Sequence, residues 1–225
     1  CIRLNKVLVD AIMKLALAFS AKAESFADIP KLGRTQLQDA VAIGLGDEFR
    51  AFADTLLEDV DRGREIASLF LEINLGGTAV GSGLGATQAY RDSVVSELSA
   101  VTGLQLVRAR NLYEASWDMG AFVLYSGFLK RLASKLSKIS NDLRLLASGT
   151  RGGIAEIRLP GRQAGSSLMP GKVNPVIPEA VNQVAYRVFG LDTSITFAAE
   201  AGQLQLNAFE PLIVASIHEG VTLLV

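Results

Sequence analysis

Residues 111–147 read NLYEASWDMGAFVLYSGFLKRLASKLSKISNDLRLLA, and this stretch decides the fold class. Phe122, Tyr125, Leu129, Leu132, Leu136, Ile139, Leu143 and Leu146 follow one another at intervals of three and four residues. Side chains so spaced form one stripe of an α-helix, and a strand period does not fit them. A helix over the whole stretch would be on the order of 50 Å long, which suits a rod in a bundle. Lys130, Arg131, Lys135 and Lys138 fall outside the stripe and read as a solvated or subunit-facing side.

Outward toward the N-terminus, Leu4, Leu8, Ile12, Leu15 and Phe19 repeat the helical spacing. Pro30 and Gly33 break it and mark a loop. A second helix is expected from about Asp39, with Leu45, Phe49, Phe52, Leu56 and Val60 on one face. Asn74 to Gly85 (NLGGTAVGSGLG) is a glycine-rich break, and a helical segment from about Gln88 to Thr102 follows. Toward the C-terminus, periodicity vanishes between Ala147 and Pro175. Pro178 then suits a first helical turn, with Glu179 near the positive helix end. That helix, about 178–200, is apolar nearly all round, and a last helix begins near Pro211. No alternating strand and no repeat stand out, so the expectation is an all-α, long-helix bundle. A helix apolar on every side needs more cover than a chain of this length supplies. Asn182, Gln183 and Asp192 lie within it, so the helix is expected in an oligomer core, its polar groups pairing across subunits.

The bulk numbers bound the function. Hydrophobic residues make up 49% of the 225 and charged residues 20%, which favours a packed core over disorder. The net charge of −1 offers no field for nucleic acid, and no basic run suggests a membrane surface. No apolar run is long enough to span a bilayer. Cys1 is the single cysteine, so no internal disulfide forms, which fits a reducing, cytoplasmic compartment. The chain opens on Cys1 directly in an apolar-periodic stretch, and an internal piece of a longer polypeptide is the expectation.

The loop Gly165-Ser166-Ser167-Leu168-Met169-Pro170-Gly171-Lys172-Val173-Asn174-Pro175 gathers the chemistry. Glycines allow close backbone approach, two serines bring hydroxyls, and Lys172 brings a positive charge. The helix that follows offers free N–H groups. Together they describe a site for a small carboxylate or phosphate. A nucleotide P-loop is excluded, because five residues separate Gly165 from Gly171 and Val173 follows the lysine. Gly76–Gly85 lacks the spacing and strand context of a dinucleotide fingerprint and reads as a packing or turn segment. On composition alone, a plain surface connector outweighs the anion site at 165–175.

The same loop resembles the signature of the aspartase/fumarase superfamily, a group of lyases that make fumarate. The resemblance continues through Val176-Ile177-Pro178-Glu179-Ala180-Val181-Asn182-Gln183-Val184 and Ala198-Ala199-Glu200-Ala201-Gly202-Gln203-Leu204-Gln205-Leu206-Asn207. It extends to Gly33-Arg34-Thr35-Gln36-Leu37-Gln38-Asp39-Ala40, Asn74-Leu75-Gly76-Gly77-Thr78-Ala79 and Asn141-Asp142-Leu143-Arg144-Leu145-Leu146, essentially the whole chain. The flanks are nearer the superfamily's aspartate ammonia-lyases than its fumarases. The resemblance implies that residues 1–225 are the central helical-bundle domain, with the family's N- and C-terminal domains absent. It also implies a homotetramer whose active sites are built from three subunits.

For the site, the resemblance implies Ser166 as the catalytic base, on a mobile loop, acting beside the substrate's β-carboxylate. Ser167 and loop N–H groups would hold that carboxylate. Lys172, Asn174 and Thr35 would hold the other, with Gln36 near the leaving amine or the α-carboxylate. The implied substrate is a small dicarboxylate, L-aspartate or fumarate, with no cofactor, no metal, no nucleic acid and no membrane partner. Fumarases of the superfamily carry His where this chain has Gln36, and Gln cannot shuttle a proton at neutral pH. Loss of ammonia is therefore favoured over loss of water. The single histidine, His218, matches no catalytic position and reads as a packed or surface residue. Trp117 stands where Gln is common and reads as a core-filling side chain. Two alternatives stay open: a fumarase-type hydratase, and a silent helical oligomerisation module.

Overall fold

In a computed structural model, residues 1–149, 151–169 and 171–225 are described. Thr150 and Pro170, both within the aperiodic stretch and the latter in the quoted loop, lie outside the described residues. The chain is all-α, with helices α1 (Ile2–Ser25), α2 (Leu45–Ile66), α3 (Gln88–Thr102), α4 (Gly120–Leu146), α5 (Val176–Glu200) and α6 (Glu210–Leu224). No helix among the described residues is long and apolar enough to cross a membrane.

Short strands are present as well, contrary to the expectation of none. Strands β1 (Pro30–Thr35) and β2 (Gln38–Gly44) form an antiparallel hairpin, and β3 (Glu72–Ile73) pairs in parallel with β4 (Val107–Arg108). The hairpin occupies residues read as a loop and as the start of α2. Its register slips between Leu32 and Arg34, where a Cβ on Gly33 would come within 2.9 Å of the Val41 carbonyl. The α2 face was legible all the same: Leu45, Phe49, Phe52, Leu56 and Val60 are all buried. Asp47 in the first turn accepts the Gly44 N–H at 3.0 Å and fixes where α2 starts.

The longest helix begins at Gly120 rather than Asn111. The side chain of Asn111 accepts the N–H of Tyr113 at 3.0 Å, and Asp118 accepts that of Gly120 at 3.1 Å. Such local bonds compete with the helical ladder and turn 111–119 into a capped, irregular entry. Trp117 ends a short 3-10 turn there and is exposed, not core-filling.

Two compact units divide the chain. One comprises Cys1–Leu8, Arg62–Leu129 and Gly190–Leu223. Its core holds Leu8, Leu129, Leu191, Ile195, Ile213 and Ile217. Asn5 donates to the Gly63 carbonyl at 2.8 Å, and Ser126 donates to Asp192 at 2.7 Å. Tyr125 is fully buried against Phe70, ring centroids 5.3 Å apart, and its hydroxyl has no hydrogen-bond partner. Burial pushes that phenol far above its ordinary range. Tyr125→Phe removes an unsatisfied polar atom and strands no partner. It should leave stability unchanged or raise it by up to about 2 kcal/mol in urea unfolding. A loss above about 1 kcal/mol would show that the hydroxyl contributes.

The other unit comprises Val9–Asp61, Lys130–Phe189 and Leu224–Val225. Phe19 packs edge-on to Phe52 at 5.6 Å, and Phe26 to Phe49 at 5.0 Å. Arg131 and Lys135, expected on a solvated or subunit-facing side, reach the fully buried Asp59 of the same chain, at 2.9 and 3.2 Å. Burial raises that carboxyl's pKa while the two cations pull against the rise. For α5, the expectation that its polar groups pair across subunits is corrected, while the need for cover beyond one chain is not. The helix buries one face and exposes the other, including Tyr186 and Phe197. Asn182 and Asp192 find partners inside the chain, Asn182 on α4 and Asp192 at Ser126, so neither waits for another subunit. Gln183 is exposed, and its amide reaches back to the Glu179 carbonyl.

Candidate active site

The site lies in the unit that contains the β1–β2 hairpin, the end of α4, the loop that follows it and the start of α5. After Leu146 the chain folds back on its helix: the N–H of Glu156 donates to the Leu146 carbonyl at 2.9 Å, and that of Ala155 to Ser148 at 3.1 Å. These bonds satisfy carbonyls that a helix end leaves free. They also place the Glu156 side chain, which pairs with Arg34 at 2.7 Å and Lys31 at 3.1 Å on β1. Lys31 reaches Glu48 on α2 as well, at 2.6 Å. The hairpin is thereby tied to the segment leaving α4.

Burial acts to raise the Glu156 pKa, but hydrogen bonds and charge from Arg34 and Lys31 outweigh it and hold the carboxyl below its ordinary value. A depressed carboxylate contributes stability above its unfolded pKa and loses it as pH falls through the folded value. The parent protein should therefore be more stable than Glu156→Gln near neutrality, with the difference shrinking as pH drops from about 5 to about 3. Paired thermal melts across that range read the effect; a gap independent of pH would refute it.

Thr35 and Gln36 sit at the hairpin tip. Thr35 pairs with Gln38, and both Gln36 and Leu37 have positive φ, 53° and 63°. That is the geometry of a type I′ turn, which normally takes Asn-Gly or Asp-Gly. Two side-chain-bearing residues held in the left-handed region store strain, a condition that clusters at ligand-binding sites. Both Thr35 and Gln36 are exposed.

The loop carries the remaining candidates. A Cβ on Gly165 would overlap the Lys172 carbonyl, so the two ends of the 165–172 segment meet backbone to backbone, a contact only glycine permits. Ser166 is half-buried, and its Oγ accepts the Leu168 N–H at 3.1 Å; Ser167 is exposed. Lys172 and Asn174 line a cavity of about 540 Å³ together with Arg144, Ser148 and Met169. Ser166, Ser167, Thr35 and Gln36 are not among its lining residues, so the structure brings Lys172 and Asn174 together and leaves the other four outside that cavity.

Arg144 had no role in the sequence reading. It stands in the last turn of α4, donates to Asn182 at 3.1 Å and approaches Glu179 at 3.8 Å. Asn182 in turn donates to the Ser137 hydroxyl at 2.9 Å and to Asn141 at 3.1 Å. The cavity thus carries a second cation, held by an α4–α5 hydrogen-bond network. The available signal was a basic residue in the final turn of a helix that leads into an anion loop.

A Gly/Ser/Lys loop thus lies between two long helices, and the cations beside it, Lys172 and Arg144, suit a carboxylate. A family model described as lyase matches residues 1–190, and the chain belongs to that family, within the aspartase/fumarase superfamily. The chain is 59% identical over 98% of its length to the aspartate ammonia-lyase of Pseudomonas aeruginosa, and 56% over 96% to that of Escherichia coli. It spans about half the length of these relatives, 47% and 45%. Among solved structures, a protein described as fumarate lyase:delta crystallin from Brucella melitensis superposes with TM-score 0.95 and 58% identity, over 99% of this chain and 49% of that one. The class II fumarase of Schistosoma mansoni gives 0.91 at 31% identity, over 96% and 48%.

Proposed function

We propose that this chain is the central segment of an aspartate ammonia-lyase, which eliminates ammonia from L-aspartate to give fumarate. The observation that carries the reading is the identity of 56–59% to aspartate ammonia-lyases along nearly the whole chain, against 31% to a fumarase. Gln36 supports it too, because an amide cannot relay the proton that water chemistry needs.

In this reading Ser166 removes a proton from the carbon beside the β-carboxylate, the C–N bond of the substrate's ammonium group breaks, and ammonia leaves with that bond's electron pair. The pair of electrons left by the proton passes through the carboxylate as a dianion before forming the double bond. Donors aimed at that developing charge supply most of the catalysis. Ser167 and loop N–H groups take the β-carboxylate, while Lys172, Asn174 and Thr35 take the other; Gln36 lies near the amine or the α-carboxylate. A serine hydroxyl is a weak base, and the Leu168 N–H on Ser166 Oγ favours the ionised form it must approach. The enzyme works without a cofactor, in the cytoplasm, as a homotetramer whose active sites combine segments of several subunits. The exposed Tyr186 and Phe197 on α5 support burial of that face against other copies.

The test is fumarate absorbance with L-aspartate and with L-malate, using the full-length protein. Aspartate should turn over and malate should not. Turnover of malate alone would replace the reading with a hydratase, and turnover of neither would leave a helical assembly module.

A further inference from the structure

A second cluster of cations lies in the unit formed by Cys1–Leu8, Arg62–Leu129 and Gly190–Leu223. Arg91, Arg108 and Arg110 line one open cleft of about 650 Å³, together with Gly81, Asn111 and Tyr113. Three pieces of chain deliver them: the first turn of α3, strand β4 and the segment just after it. None of the described residues of the 165–175 loop takes part.

The glycine-rich stretch 74–85 builds this cleft. Gly83, at φ 72°, lies so close to Arg91 that a Cβ there would come within 2.5 Å of the guanidinium carbon. A Cβ on Gly76 would lie 3.7 Å from a terminal nitrogen of Arg108, and one on Gly81 would overlap the Leu112–Tyr113 backbone. Bare backbone therefore seats the guanidinium groups, which gives chemical content to a segment that resembled a nucleotide fingerprint only loosely.

The charges are unbalanced. Among the described residues no ion pair joins Arg91, Arg108 or Arg110 to a carboxylate, whereas Arg34, Arg131 and Arg144 all have one. The Nε atoms of Arg91 and Arg108 are buried without a hydrogen-bond partner. Asp92, beside Arg91, accepts from Gln88 at 2.7 Å. The first turn of α3 carries no acidic residue, so its helix end adds to the positive potential. Like charges gathered in one cleft repel, and fixed guanidinium forks match the oxygens of carboxylates and phosphates.

We propose that the Arg91/Arg108/Arg110 cleft binds a compact, multiply charged oxyanion, a site additional to the loop at 165–175. The ligand chemistry is carboxylate or phosphate, and two probes separate them: succinate and inorganic pyrophosphate, titrated calorimetrically into the full-length protein at low ionic strength. At least one probe should bind saturably, more weakly as salt is added. In the Lys172→Met background, which disables the carboxylate clamp of the 165–175 site, that binding should persist, and Arg108→Gln and Arg110→Gln should each weaken it tenfold or more. Arg110 is exposed, so its variant separates lost binding from lost folding, with circular dichroism as the control. Tighter pyrophosphate assigns a phosphate ligand and tighter succinate a dicarboxylate. Absence of saturable binding by either probe overturns the proposal. So does binding that Lys172→Met abolishes or that both arginine variants leave intact.

Discussion

Replacing Ser166 with alanine should lower turnover of L-aspartate by roughly 10²–10⁴-fold, the usual contribution of a positioned general base. The hydroxyl is half-buried and takes a hydrogen bond from the backbone N–H two residues on, so its removal leaves one loop N–H free and little else disturbed. Because the group acts in the transition state, kcat should fall while KM stays near its parent value. The measurement is the rate of fumarate formation by the full-length variant, with circular dichroism confirming that the helices persist. Parent-like turnover would remove Ser166 from the role of base. A rise in KM at unchanged kcat would make it a binding group instead.

Asn182→Ala should give the largest loss of stability, about 2–4 kcal/mol in urea unfolding. Asn182 is 2% exposed and connects α5 to α4 through Ser137, Asn141 and Arg144. Alanine strands the buried Ser137 hydroxyl, which costs more than its hydrogen bond contributed, and removes the bonds to Asn141 and Arg144, which solvent reaches. The freed Arg144 also lines the cavity with Lys172 and Asn174, so substrate KM should rise in the same variant. Asn182→Asp keeps an acceptor for Arg144 and loses the donor toward α4. It should therefore recover KM better than stability. A loss below about 1 kcal/mol for the alanine variant would mean that the network relaxes around the gap.

The helices were legible because their apolar spacing repeats over many turns. The α4 stripe and the α2 face contain no exposed residue, and the limits of α3 match the residues named from sequence. The hairpin escaped notice for two physical reasons. Strand β2 is exposed along most of its length, so no alternation of buried and open positions marks it. Its turn uses Gln36-Leu37, which lacks the glycine that normally announces such a geometry. The entry 111–119 was misread because the stripe says where apolar side chains fall, and not that Asn111 and Asp118 hold the backbone out of the helix. Ser166, Lys172 and Asn174 could be singled out only through family resemblance, since Gly/Ser/Pro composition by itself describes a connector. Arg144 was missed because its partner Asn182 lies 38 residues away on another helix.

The backbone contact between Gly165 and Lys172 bears on loop entropy. Most active-site loops must surrender conformational freedom when a ligand draws their ends together. Here the ends already touch, held by an approach that no other residue at 165 would allow. The cost of bringing these two ends together is met during folding and not on binding. Lengthening the segment inside the ring would add little, about 0.6 kcal/mol for each doubling of its length. A single methyl group at Gly165 would force the ring open and return the whole closure cost to the binding step.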